Sequence, residues 1–186
     1  MSTTSTTRTS DISVGTWDID PTHSSIEFTV RHLGLSKVRG AFRDFAGSLT
    51  IGDDPLTSSV NAAIELASVD TGNDDRDAHL RGSDFFDAES QPQMVFDSTD
   101  LRAEDGAYVL RGDLTIRGTT LPIDLDLEFH GVNDDPYGNH KAGFSATGSL
   151  SRKAYGIDFN APAGADKVLI GDKVNVELEI QAARRA

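Results

Sequence analysis

The residues best equipped for chemistry fall in two short stretches. The first, Asp20-Pro21-Thr22-His23-Ser24-Ser25, places a carboxylate, an imidazole and hydroxyls close together. A nucleophilic mechanism needs a hydroxyl within reach of a base that a third group orients. His23 and Ser24 open an alternating segment, and adjacent strand residues point to opposite faces, so that dyad is geometrically poor. The second stretch gathers Asp74, Arg76, Asp77, His79 and Arg81. Its guanidinium groups suit an anionic head group, because a planar fork matches phosphate oxygens. Arg76 with Asp74 or Asp77 reads more readily as a structural ion pair that fixes the insertion. His23, His32 and His79 offer imidazoles to a metal, but no short-range H-x-x-x-H spacing joins them, and hydrogen-bonded structural roles are expected instead. The chain has no cysteine, which excludes thiol nucleophiles, disulfides and cysteine-ligated metals. It carries no G-x-S-x-G elbow, P-loop or dinucleotide fingerprint, and no cofactor is expected.

The elements that must position these residues are strands. From Trp17 the chain settles into alternation, with Ile26, Phe28 and Val30 on one side and Glu27, Thr29 and Arg31 on the other. Val38 to Phe42, Gly47 to Ile51 and Ser59 to Leu66 continue it, with a turn at Asp53-Asp54-Pro55. Beta-branched residues then nearly vanish between Asp70 and Asp87. Asn73 can cap a helix and Asp74 and Asp75 suit its first turn, so a helix from Asp74 to Arg81, broken at Gly82, is predicted. A further turn at Ser83 to Phe86 completes an insertion at about 74–87. Strands resume at Gln93, with a hairpin signal at Asp105-Gly106 and a turn at Gly118-Thr119-Thr120. Leu121, Ile123, Leu125, Leu127 and Phe129 form the cleanest one-sided strand. Asp134 to Asn139 is a loop, Phe144 to Leu150 a strand, Asn160 to Ala165 a loop and Lys173 to Gln181 the last strand.

At 186 residues the chain fits one domain, expected over 14–183 behind a disordered Ser/Thr-rich tail at 1–13. The predicted class is all-β, with about eight one-sided antiparallel strands. Such strands must pack as two sheets or close into a barrel, and the pattern leaves both open. Small inward residues, Ala62, Gly112, Ala146 and Gly148, leave room inside, and an eight-stranded barrel is wide enough for one small ligand. The net charge of −13 disfavours nucleic acid and anionic membrane surfaces. No run reaches the roughly 18 apolar residues of a membrane span. The N-terminal tract lacks the pattern of a secretory leader, so a cytoplasmic location is expected.

Six blocks occur in order: W-D-I-D-P-T-H-S-S-I-E-F-T-V-R-H, G-A-F-R-D-F-A-G, S-V-D-T-G-N-D-D-R-D-A-H-L-R-G-S-D-F-F-D, P-Q-M-V-F-D-S-T, G-D-L-T-I-R-G-T-T and S-R-K-A-Y-G-I. Together, from Trp17 to about Ile180, they resemble the YceI-like family of polyisoprenoid-binding, lipocalin-like proteins. The resemblance implies an extended eight-stranded antiparallel barrel with a lipid-filled interior and a helical insertion. It implies binding of a long isoprenoid chain, such as a prenyl quinone or prenyl phosphate, rather than catalysis. A hydrolase or isomerase acting on a lipid in the same cavity is the alternative, and sequestration of hydrophobic small molecules is another. Many relatives carry a secretory leader; none is expected here.

Phe42, Phe45, Phe85, Phe86, Met94, Phe96 and Leu110 are the candidates for lining or gating that interior, with Arg76 and His79 at a head group. Plain core packing is the competing reading for each apolar residue. For Phe85-Phe86, it makes the pair anchors of the insertion. Trp17 is placed to plug one end. The edges and the charge leave room for a homodimer.

Overall fold

The computed structural model describes residues 12–105, 107–162 and 168–186. The tail expected at 1–13 therefore lies outside them except for Ile12 and Ser13. These two are packed rather than free: the Trp17 indole N–H donates to the Ser13 carbonyl at 3.0 Å, and Ile12 packs beside Trp17.

The strands are β1 (Gly15–Ile19), β2 (Ser25–His32), β3 (Ser36–Phe42), β4 (Phe45–Ile51), β5 (Ser59–Glu65), β6 (Val69–Asp70), β7 (Gln93–Glu104), β8 (Ala107–Ile116), β9 (Thr119–Asp134), β10 (His140–Ser151) and β11 (Ile170–Arg184). Helix α1 spans Asp74–Arg81, and the Asn73 side chain caps it by accepting the Arg76 N–H. These eleven strands form eight staves, because β1 continues into β2, β3 into β4 and β5 into β6. Each stave pairs antiparallel with the next in sequence. β11 then closes the ring, pairing β1 through Trp17↔Arg184 and β2 through Ile26↔Leu178. The result is a closed eight-stranded antiparallel up-and-down barrel, which leaves no long edge to seed aggregation.

Meander order assigns the connections to two ends. The β2–β3, β8–β9 and β10–β11 connections and the 71–92 segment with α1 lie at one end, the base. The β4–β5, β7–β8 and β9–β10 connections lie at the other, the rim. The hairpin expected at Asp105-Gly106 falls between Glu104 and Ala107, which pair, although Gly106 is outside the described residues. The loop expected at Asn160 to Ala165 is described only to Pro162.

Two irregularities reset which residues face inward. An extra residue near Thr99 shifts the β7–β8 register between Ser98 and Asp100, so Phe96 and then Leu101 face in. Another at His130 shifts β9–β10, so Phe129 and then Val132 pack inside. A bulge of one residue flips the phase of everything beyond it.

Candidate ligand cavity

The base is solid. Phe42, Leu66, Val69 and Ile116 from the wall pack with Phe85 and Ala88 from the insertion and with Tyr155 and Ile157 from the β10–β11 connection. Buried polar groups hold both crossing segments. Arg152, only 4% exposed, donates to the carbonyls of Gly171 (2.9 Å), Ile157 (2.9 Å), Phe159 (2.8 Å) and Ile170 (3.2 Å). Burial lowers its pKa, opposed by the charges of Asp172 and Asp158. Burial likewise raises that of Tyr155. Asp77, 6% exposed, accepts from the Thr71 hydroxyl at 2.6 Å and the Thr71 N–H at 2.9 Å.

The charged cluster of the insertion belongs to this base. Arg76 donates to the Thr71 hydroxyl (2.7 Å) and carbonyl (2.8 Å). The expected ion pair between Arg76 and Asp74 or Asp77 is replaced by a hydroxyl standing between the charges, because Thr71 can donate to Asp77 while accepting from Arg76. His79 meets Asp84 at 2.9 Å and packs edge-on against Phe85 and Phe159, with centroids 4.9 Å away in both cases. The Arg117 guanidinium donates to the Phe85 carbonyl at 3.1 Å. Phe86 packs against Phe42, with centroids 5.7 Å apart. Phe85 and Phe86 thus anchor the insertion beneath the cavity.

Above the base the interior is hollow. A cavity of about 220 Å³ runs along the barrel, lined at its lower part by Phe28, Phe42, Met94, Leu114 and Ile123. Its upper part is lined by Leu101, Tyr108, Phe129, Phe144 and Ile12, and it reaches Pro55, Ser58 and the exposed Ser59 at the rim. Five candidates, Phe42, Phe45, Met94, Phe96 and Leu110, line it; Phe85, Phe86, Arg76 and His79 do not. Sequence reasoning left out Leu101, Tyr108 and Leu114 as individual candidates, although alternation marks Tyr108 and Leu114 as inward. Only the bulge near Thr99 brings Leu101 in.

Small residues do not all leave space. A Cβ on Gly112 would lie 2.3 Å from the Phe96 ring, and one on Gly148 would lie 2.7 Å from Leu125. Those two gaps are filled by neighbours lying across them. Ala62 and Ala146 do line the cavity.

The rim is partly closed. Trp17, fully buried, packs with Leu49, Ile51, Ala142 and Ala182, and His140 stacks over it with centroids 6.4 Å apart. Where β1 gives way to β2, Asp20 accepts from Lys141 (2.5 Å) and from the Thr22 N–H (2.9 Å), and His23 approaches it to 2.7 Å. The Lys141 ammonium holds the Asp20 carboxyl well below the usual range, with help from His23 and Thr22 against partial burial. Ser24 instead exchanges hydrogen bonds with the Gln181 backbone, so His23 and Ser24 form no dyad. Among the described residues, no three His, Asp or Glu side chains converge as metal ligands do, and no helix is long and apolar enough to cross a membrane.

A closed eight-stranded barrel with a sealed base and an apolar interior defines a lipocalin-like binding barrel. Residues 17–182 match the YceI-like domain, and the chain belongs to that family. A UPF0312 protein of Photorhabdus laumondii is 42% identical over 147 residues, covering 78% of this chain and 74% of the relative. The crystal structure of the Campylobacter jejuni YceI protein superposes with a TM-score of 0.71 at 30% identity, over 84% of this chain and 90% of that one. A polyisoprenoid-binding domain from Saccharophagus degradans, implicated in plant cell wall breakdown, shares the fold with a TM-score of 0.68 at 17% identity, over 93% and 100% of the two chains.

Proposed function

We propose that this protein binds a long-chain isoprenoid or related amphiphilic lipid, tail inside the barrel, for carriage, storage or sequestration. The observation that carries this reading is the cavity itself. Its lining is hydrocarbon and aromatic apart from Glu27, Ser58, Ser59, Ser145 and Tyr108, and these present almost no polar surface to it. A buried methylene contributes about 0.8 kcal/mol, so one isoprene unit contributes up to roughly 4 kcal/mol, offset in part by the ordering of the chain. A hydrogen-bonding head group would lose its water without replacement inside such walls, so a quinone or phosphate head belongs at the rim. Tail length is then weakly discriminated. The fold shared with a polyisoprenoid-binding domain is consistent with the same reading, and binding rather than turnover fits walls where Glu27 and Tyr108 present almost no polar surface to a bound chain.

Denaturing extraction of the purified protein followed by mass spectrometry should recover a long-chain lipid. The emptied barrel should take up prenyl quinones or prenyl phosphates. An empty barrel that also takes up neither would sink the proposal.

A further inference from the structure

The β2–β3 connection at the base is built against the interests of folding and solubility. It is a three-residue connection, Leu33 to Leu35, between the paired His32 and Ser36, with the Leu35 N–H donating to the His32 carbonyl at 2.9 Å. Leu33 and Gly34 have φ of 55° and 68°, the pair of left-handed conformations that a type I′ hairpin turn requires. Glycine adopts this freely. A leucine at the first position does so under steric strain, where asparagine, aspartate or glycine would fit. The next residue, Leu35, is 80% exposed. Beside the turn, the Leu33 N–H donates to the Leu169 carbonyl at 2.9 Å, which brings the half-exposed Val168 close to the tip.

The flanks of this apolar tip are basic. Arg31 and Lys37 are register partners, and Arg39 follows opposite Thr29. Lys173 stands on the adjacent β11, where the pairing with β2 is irregular. Like charges placed directly opposite weaken strand pairing, yet none of these four forms an ion pair among the described residues. Along β2 and β11, the first carboxylates among the described residues on the same face as Arg31 and Lys173 are Glu27 and Glu177, four residues further from the tip. That is roughly 13 Å at the strand rise; Arg39 lies closer to Glu27, two register positions away. Lys37 and Arg39 also border an outer groove whose far wall carries Asp124 and Asp126; Asp124 is engaged by Arg102 and Arg111.

We propose that the β2–β3 tip docks the protein on an anionic lipid bilayer, whatever fills the cavity. Leu33 and Leu35 enter the apolar layer, and Arg31, Lys37, Arg39 and Lys173 lie against lipid phosphates. A bilayer supplies both an apolar layer and a plane of anionic groups within a few ångströms of it. A nucleic acid would match the cations but has nothing for two leucines at an exposed turn. The net charge of −13 opposes approach at long range, but physiological salt screens it beyond about 8 Å, so the contact is short-range and reversible, and salt well above that weakens it.

The test is co-sedimentation of the full chain with vesicles of phosphatidylcholine alone and of phosphatidylcholine mixed with phosphatidylglycerol. Binding is expected on the mixed vesicles at physiological salt, at least ~10-fold weaker on phosphatidylcholine, and reduced when salt is raised well above that. Leu33→Asn with Leu35→Ser should abolish it while thermal stability is kept or raised, since asparagine suits the turn. Arg31→Glu with Lys37→Glu should abolish it too. Wild-type protein that stays in solution with mixed vesicles overturns the proposal, as does a Leu33→Asn, Leu35→Ser variant that binds normally. A lipid-free dimer that this variant dissolves, seen by sedimentation velocity, would assign the tip to a second copy instead.

Discussion

The base of the barrel and its middle are made from the same staves with the same alternation, yet one is solid and the other hollow. At the base, Phe42, Val69 and Ile116 find partners that come from outside the wall, including Phe85, Tyr155 and Ile157. In the middle, Ala62, Ala146, Leu110 and Met94 line space that no segment among the described residues crosses. Alternation decides which side chains face inward. Whether they meet anything there depends on which connections fold back across the end. The base connections can do so because Arg152, Asp77 and Thr71 satisfy the polar groups that crossing segments bring with them.

That contrast can be broken from either side. The largest effect is expected from Arg152→Ala, which removes the donors for four carbonyls at the base. Burying them unpaired should cost about 3–5 kcal/mol. For a chain of this size a kcal/mol is worth about 2–4 °C, so calorimetry should show the melting temperature roughly 10 °C lower. An unchanged melting temperature would mean that the base does not depend on this clasp. Next comes Gly112→Ala, whose methyl must displace the Phe96 ring and meet the Asp97 carbonyl at 2.8 Å. About 1–3 kcal/mol should be lost, read from the urea midpoint; a midpoint within error of wild type would show that the ring yields without cost.

Ala146→Phe acts on the hollow region instead. It should leave stability within about 1 kcal/mol, because it grows into empty space, and should weaken a bound prenyl probe at least tenfold, about 1.4 kcal/mol. Tight binding in that variant would remove the cavity as the ligand site. The smallest effect concerns the rim. Asp20 is held below the ordinary carboxylate range by Lys141, so its contribution is present above the unfolded pKa near 3.9 and is lost as pH falls below about 4 toward the depressed folded value. Asp20→Asn should cost roughly 1 kcal/mol at neutral pH and make the acid limb of stability against pH shallower. Parallel acid limbs in urea titrations would contradict this.

Local signals were legible where local physics decides. Asn73, the acidic first turn and Gly82 predict the helix at Asp74–Arg81, and it forms between those residues with that cap. The one-sided strands are equally plain from Leu121 to Phe129. β9 nevertheless runs on to Asp134, because the extra residue at His130 restarts the alternation in the other phase. Phe85 and Phe86 stand out in sequence as aromatics after a helix, but a pair of aromatics looks the same as a gate and as an anchor. The block S-R-K-A-Y-G-I marks Arg152 without revealing that its partners are the carbonyls of residues 5 to 19 positions away.

By itself, then, the sequence determined the strands, their inward faces and the insertion, and its six ordered blocks pointed to the YceI-like family. Period-two alternation and helix capping act between residues a few positions apart, so they survive in a linear reading. The tertiary structure alone decided that the sheet closes, since β1 and β2 must both find β11 across 138 residues or more. It also decided that Phe96 fills the gap over Gly112 while Ala146 leaves one open. Space is a property of what converges on a point, and residues converge there from staves that are neighbours only once the ring has formed.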